Sequence, residues 1–302
     1  MSSHHHYEHN HGHTHAVTSL NRAFTLGISL NIAFVLAEAI AGFCFNSMGL
    51  LSDAGHNLTD VVSLALAMLA YKLSQIHANH RFTYGYKKST VLISLLNAII
   101  LGVAVVLIIV ESVHKLIEPE PLEGLTISVV AAIGVAVNGF TAYLFMKDRK
   151  QDLNIKGAFL HMLADALVSV GVVLSGIIIH FTGWYVIDAF IGLAVAVVIV
   201  VATWQLLRDS LRLALDGVPS QVDYEKVVSL FKNTDGVLDV HHLHIWAIST
   251  TENALTAHVV IRDIREMEKV KAELKQGLKG ENISHATLEF ETETYKCPEP
   301  ND

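Results

Sequence analysis

Two stretches decide the fold: GLLSDAGHNLTDVVSLALAMLA (Gly49–Ala70) and LNIKGAFLHMLADALVSVGVV (Leu153–Val173). Each is apolar enough to be read as membrane-crossing, and each carries one H-x-L-x-D motif, His56/Asp60 in the first and His161/Asp165 in the second. At 3.6 residues per turn, positions four apart share one helix face. Each helix therefore presents an imidazole beside a carboxylate. Ionisable groups at membrane depth cost several kcal/mol unless they pair or line a watery cavity. Two copies at the same spacing are more economically read as one shared site than as two separate His–Asp hydrogen bonds. Facing each other, the helices supply two nitrogens and two oxygens, a tetrahedral set that fits zinc. Imidazole nitrogen favours zinc, cobalt, nickel or copper over magnesium or calcium.

The rest of the chain agrees with a membrane reading. Of 302 residues, 52% are hydrophobic and 17% charged, with mean hydropathy +0.43. Soluble domains average about 25% charged residues, so the composition argues against a soluble enzyme, a disordered chain or a secreted mini-protein. A net charge of -8 argues against nucleic acid as a partner. Six runs are long enough to cross about 30 Å of hydrocarbon: Leu20–Phe45, Gly49–Leu73, Ser89–Leu116, Leu122–Met146, Leu153–Phe181 and Trp184–Leu215. No segment reads as a cleavable signal peptide. Basic residues gather after the second, fourth and sixth spans (Arg81, Lys87, Lys88; Lys147, Arg149, Lys150, Lys156; Arg208, Arg212). The positive-inside rule then puts both termini in the cytoplasm. Cys44 and Cys297 fall on opposite sides of the bilayer and cannot pair.

From about Pro219 charged residues become frequent and no later run could span. The order reads helix (Asp223–Lys232), strand (Val237–Ile248), strand (Ala254–Ile261), helix (Ile264–Leu278) and strand (Ile283–Glu291). The expected fold class is thus an α-helical polytopic membrane protein of six transmembrane helices with a C-terminal α+β, ferredoxin-like (αββαβ) cytoplasmic domain. The expected division is a His-rich tail at 1–19, a transmembrane domain at 20–216, a metal-binding domain at 217–296 and a tail at 297–302. Seven histidines lie between His4 and His15, a composition that binds metal weakly and exchanges it fast. Among the polar residues within the spans, Asn31, Glu38, Asn97, Glu111, Asn138 and Asp188 are candidates for helix-to-helix hydrogen bonds. Glu38 and Asn138 could equally line a watery path.

The two membrane stretches, the connection RFTYGYKKS (Arg81–Ser89) and the segment VHHLHIWAIS (Val240–Ser249) together resemble the cation diffusion facilitator family, in its zinc-transporting branch. The resemblance runs from about Leu20 to Cys297. It implies a homodimeric exporter, not an enzyme, that exchanges cytoplasmic Zn2+ for protons by alternating access; the short, bacterial-style chain adds, by analogy, the plasma (inner) membrane as the expected location. It places the transport ligands on His56, Asp60, His161 and Asp165. It places cytoplasmic, regulatory zinc ligands on His241, His258 and His285, with Glu291 or Cys297 as substitutes for an aspartate the family sometimes carries where this chain has Thr287. His242 and His244 are expected to share the opposite strand face from His241 and to be surface or interface residues. Lys88 and Asp216 match positions that form a charge contact in some relatives. A second metal site that some members build around a GHGK-like segment looks absent, since the chain reads Gly85-Tyr86-Lys87-Lys88 there.

Three rival readings fit the residues less well. An intramembrane metalloprotease needs a general-base glutamate beside its zinc, as in H-E-x-x-H, but Asn57 and Met162 follow the histidines. A receptor that senses metal without transport leaves the membrane motifs unexplained. A passive channel would be slowed by a four-ligand trap.

Overall fold

The computed structural model describes residues 12–44, 48–118 and 124–294. Six long helices come first: α1 (Gly12–Cys44), α2 (Met48–Ser74), α3 (Ser89–Ile117), α4 (Gly124–Phe145), α5 (Leu153–Thr182) and α6 (Val186–Ala214). By length and composition, α1 and α3 to α6 contain segments apolar enough to cross a membrane. The remaining helix, α2, is diluted by His56, Asn57 and Asp60. It is the sixth helix of the transmembrane fold, and the residues that lower its hydropathy are the ones its motif supplies. The first helix starts at Gly12, earlier than the expected Leu20; the other boundaries fall within about two residues of expectation.

The chain divides into two compact units. One comprises Met1–Met68, Leu107–Lys147 and Ala158–Val197. Small residues allow close helix packing within it. A Cβ on Gly27 of α1 would stand 2.9 Å from the Thr141 methyl of α4, and one on Gly192 of α6 would stand 2.4 Å from Ser112 Oγ of α3. Phe24 and Phe145 pack in a tilted contact, 4.9 Å between ring centres, beside the first contact. Polar residues tie the same helices. Asn31 donates to Thr141 Oγ1 at 3.2 Å, and Asp188 accepts from Ser175 Oγ at 2.6 Å and from Lys115 Nζ at 3.1 Å.

The second unit comprises Leu69–Val106, Asp148–Gly157 and Val198–Asp302. It contains the αββαβ domain: α7 (Tyr224–Asn233), β1 (Val237–Ala247), β2 (Asn253–Ile261), a 3-10 turn (Ile264–Glu266), α8 (Met267–Gly280) and β3 (Ile283–Thr292). Asp223 caps α7 by accepting from the Lys226 amide. The helices bury i, i+4 stripes, Val227 and Phe231 on α7 and Val270, Leu274 and Leu278 on α8. These pack on Ile245, Leu255, Ala257, Val259, Ile261 and Ile283 of the sheet. The strand order is β1-β2-β3, antiparallel then parallel. Because β2 alternates, the residue between Ala257 and Val259, His258, points to the sheet face without helices.

The same unit joins this domain to the adjoining helix ends. Lys88 Nζ lies 2.5 Å from Asp216 Oδ1 and also donates to the carbonyls of Leu213 and Ala247, each at 3.1 Å. The contact expected between Lys88 and Asp216 is therefore present, with two backbone acceptors added. Lys87 contacts both Glu252 oxygens at 2.7 and 2.8 Å. Thr250, in the β1–β2 turn, donates its amide to Thr90 Oγ1 and its hydroxyl to Asp152 Oδ2, both at 3.0 Å. Val91, Leu213 and Ala247 form a small apolar core beneath these bonds.

Candidate metal centres

The helix periodicity that predicts the membrane site also positions it. On α2, Ala54, Asn57, Asp60, Ser63, Leu64 and Ala67 are buried at helical spacing, and His56 borders that stripe with its side chain 43% exposed. On α5, His161 and Asp165 lie among buried Ala158, Met162 and Ala166. The four residues meet crosswise. His161 Nε2 shares a hydrogen bond of 2.8 Å with Asp60 Oδ1 on the other helix, and His56 Nε2 lies 3.7 Å from Asp165 Oδ1. Within α5, His161 Nε2 is 3.8 Å from Asp165 Oδ2. Donor atoms of His56, Asp60 and Asp165 all lie within 4.8 Å of one another. Around a tetrahedral zinc with bonds near 2.1 Å, donors stand about 3.4 Å apart. The three pair distances bracket that value, while His161 stands outside the group of three whose donor atoms are all mutually within 4.8 Å. Asp60 is fully buried, and its Oδ2 has no hydrogen-bond partner. Beside the site, the buried Glu38 accepts a 2.7 Å hydrogen bond from Asn57. It is thus an α1–α2 tie, one of the two readings that sequence left open.

The second cluster lies on the helix-free face of the sheet. His241 is paired directly with His258 across β1 and β2. Glu291 on β3 places Oε1 2.7 Å from His258 Nδ1 and Oε2 3.4 Å from His241 Nε2. Donor atoms of these three side chains lie within 4.8 Å of one another. The carboxylate is 5% exposed; two imidazoles and a buried carboxylate suit a borderline divalent cation. Glu289, which pairs with His258 in the register, adds an oxygen 3.6 Å from His258 Nε2.

Three expectations need correction here. His285 is not brought to this cluster. It shares the parity of Glu289 and Glu291 on β3, but pairs with Ala254, four residues along β2 from His258. At about 3.3 Å per residue that separation is roughly 13 Å, and the His285 ring packs instead on Tyr84 at 5.6 Å between ring centres. Glu291 stands where His285 was expected. The parity of the histidines on β1 is also shifted. Register steps from His241↔His258 to His244↔Thr256, so one extra residue is inserted in β1. His241 and His244 therefore share a face. Finally, His242 is no remote surface residue: its ring lies 5.2 Å from that of His241 and 5.1 Å from that of His258. Glu289 was missed, and its only sequence signal is its i, i+2 spacing from Glu291. Cys297 and the histidines up to His11 lie outside the described residues.

Comparison with known proteins places the chain. Residues 24–213 match the cation efflux transmembrane domain, and residues 219–293 match the cation efflux protein cytoplasmic domain. The cadmium, cobalt and zinc/H(+)-K(+) antiporter of Bacillus subtilis is 35% identical, over 87% of this chain and 86% of the relative. Metal cation efflux system protein CzcD of Cupriavidus metallidurans is 36% identical, over 89% and 86%. Zinc transporter ZitB of Escherichia coli is 31% identical, over 92% and 90%. The crossed His–Asp motifs thus sit in a multi-pass membrane protein that belongs to the cation efflux, or cation diffusion facilitator, family.

Proposed function

We propose that this protein exports zinc from the cytoplasm in exchange for protons, by alternating access at His56, Asp60, His161 and Asp165. The observation that carries the reading is the crosswise approach of two identical motifs, with His161 and Asp60 at hydrogen-bond distance and His56 facing Asp165. The names of the relatives, which include zinc and proton antiport, support the cargo and the coupling.

The chemistry follows from competition. Zinc ligands must be deprotonated, so metal and protons exclude each other from the same atoms. Facing a neutral cytoplasm, the site loses protons and takes zinc. Facing a more acidic exterior, protons reclaim the imidazoles and carboxylates and the ion leaves. Each pH unit supplies about 1.4 kcal/mol per proton exchanged. Moving one net charge against 100 mV costs about 2.3 kcal/mol, a cost that two-for-one exchange avoids. No bond in a substrate is transformed, so the protein is read as a transporter and not an enzyme.

In this reading residues 20–216 carry the ion and residues 217–296 form a cytoplasmic domain. His241, His258 and Glu291 would hold a regulatory zinc there that draws two protomers into a homodimer. Both termini are cytoplasmic, the protein sits in the plasma membrane, and the His-rich tail raises local zinc near the inner opening. The test is zinc uptake into acid-loaded vesicles reconstituted with the protein. Wild type should accumulate zinc only while the inside is acidic, and Asp60→Ala should lower the rate at least about tenfold, the low end for disturbing a metal site. Uptake that ignores the gradient would refute proton coupling, and full activity of Asp60→Ala would refute the site.

A further inference from the structure

The segment Val240-His241-His242-Leu243-His244 departs from ordinary strand geometry at one residue. His242 has φ of +47°, in the left-handed region that residues other than glycine seldom adopt, histidine less rarely than most. It sits in the bulge between His241 and His244. Strict alternation along β1 would send its ring, like Val240, toward the helix-packed core. The bulge instead turns the ring toward the open face, where three imidazoles form a nearly equilateral triangle. Their ring centres are 5.2, 5.1 and 5.3 Å apart, with planes inclined by 56 to 65°. The midpoint of such a triangle is about 3 Å from each ring centre, close to where an ion sits when bound by ring nitrogens at 2.0–2.1 Å. Glu291 approaches the same point from β3 through both His241 and His258. A cleft of about 950 Å3 lined by His241, His242, His244 and Glu291 gives access to it.

We propose that His242 is a ligand of this centre, so that its set is three imidazoles and one carboxylate: His241, His242, His258 and Glu291. This rests on the reading of His241, His258 and Glu291 as a metal site. Strained backbone persists where surrounding structure over-determines it, often at binding sites, and here the strain delivers an imidazole to two others. The donor atoms of His241, His258 and Glu291 lie within 4.8 Å of one another and those of His242 stand outside that group, so a small turn of the His242 ring would complete an N3O shell that suits zinc, cobalt or nickel.

Cobalt(II) bound to the purified full-length protein tests this, because its visible absorption reports coordination. The background carries Asp60→Ala and Asp165→Ala to silence the membrane motifs; the tail histidines are common to all variants and cancel in the comparison. His242→Gly and His242→Asn both tolerate positive φ and neither offers an imidazole. Each should weaken cobalt binding at least about tenfold and reduce the tetrahedral absorption, while the melting temperature of the metal-free protein holds or rises. His241→Ala should abolish the signal. If His241→Ala abolishes it and both His242 variants keep wild-type affinity and spectrum, the role of His242 is overturned and the underlying site stands. If all three variants keep the signal, the site itself is overturned.

Discussion

His161 and Asp60 stand 101 positions apart in sequence, yet His161 Nε2 and Asp60 Oδ1 are 2.8 Å apart in the buried interior of the helices. The same exchange of partners brings His56 to Asp165. Neither histidine is confined to the carboxylate of its own motif. The crossing converts two one-helix pairs into a single four-residue constellation.

One consequence concerns what remains when a carboxylate is removed. Asp60→Asn keeps the volume and a hydrogen-bond acceptor for His161 but removes the negative charge. It should fold with wild-type stability and lose zinc uptake at least about tenfold. Thermal unfolding and vesicle uptake measured on the same preparation check this; retained uptake would mean that charge at Asp60 does not matter.

Glu38 should be sensitive to loss of its acceptor more than to loss of its charge. Glu38→Gln can still accept from Asn57, whereas Glu38→Ala leaves a buried amide donor without its 2.7 Å partner. The alanine variant should lose about 1–3 kcal/mol of stability, read as a lower unfolding temperature, with the glutamine variant close to wild type.

Lys88 gives a different kind of test. A simple ion pair would be rescued by exchanging the charges, Lys88→Asp with Asp216→Lys. Lys88 also donates to the carbonyls of Leu213 and Ala247, and an aspartate cannot. The double swap should therefore recover only part of the stability lost by either single reversal. Full recovery would show that the two carbonyl contacts contribute nothing.

Gly192 tests the packing of α3 on α6. A methyl group there would meet Ser112 Oγ at 2.4 Å, so Gly192→Ala must push a helix or a rotamer aside. Overpacking of this kind costs about 1–3 kcal/mol. Pairing it with Ser112→Gly should restore most of the lost unfolding temperature.

Much of this was legible in the sequence because the signals are long or repeated. Five spans stand out because membrane crossing demands some twenty apolar residues in a row, and the sixth, diluted by His56, Asn57 and Asp60, is marked by its motif instead. The membrane site stands out because i, i+4 spacing fixes a shared helix face without knowledge of the fold. The sheet site was read less well, and for two physical reasons. Alternation puts residues of one parity, such as His285 and Glu291, on one face of β3 but says nothing of how far β3 slides along β2; the register decides that Glu291, not His285, meets His258. One extra residue between His241 and His244 reverses strand parity, and nothing in VHHLHIW marks it.

Regulation should be separable from transport. His241→Ala combined with His258→Ala should shift the zinc concentration needed for half-maximal uptake without abolishing it. The double variant should also lose the rise in unfolding temperature that zinc gives the wild type. Loss of folded protein in the absence of metal would assign those histidines a structural role instead.

The shared grip of α2 and α5 on one ion is tested most directly by a double-mutant cycle on zinc affinity. The protein is full-length, purified, and carries His241→Ala and His258→Ala so that the sheet site is silent. His56→Ala on α2 and Asp165→Ala on α5 are measured singly and together. If both helices hold the same ion, each single change removes most of the binding energy and the pair loses far less than the sum of the two, a coupling of about 0.5–3 kcal/mol or more. Losses that simply add would mean that the two motifs bind separately, and the single crossed site would be contradicted.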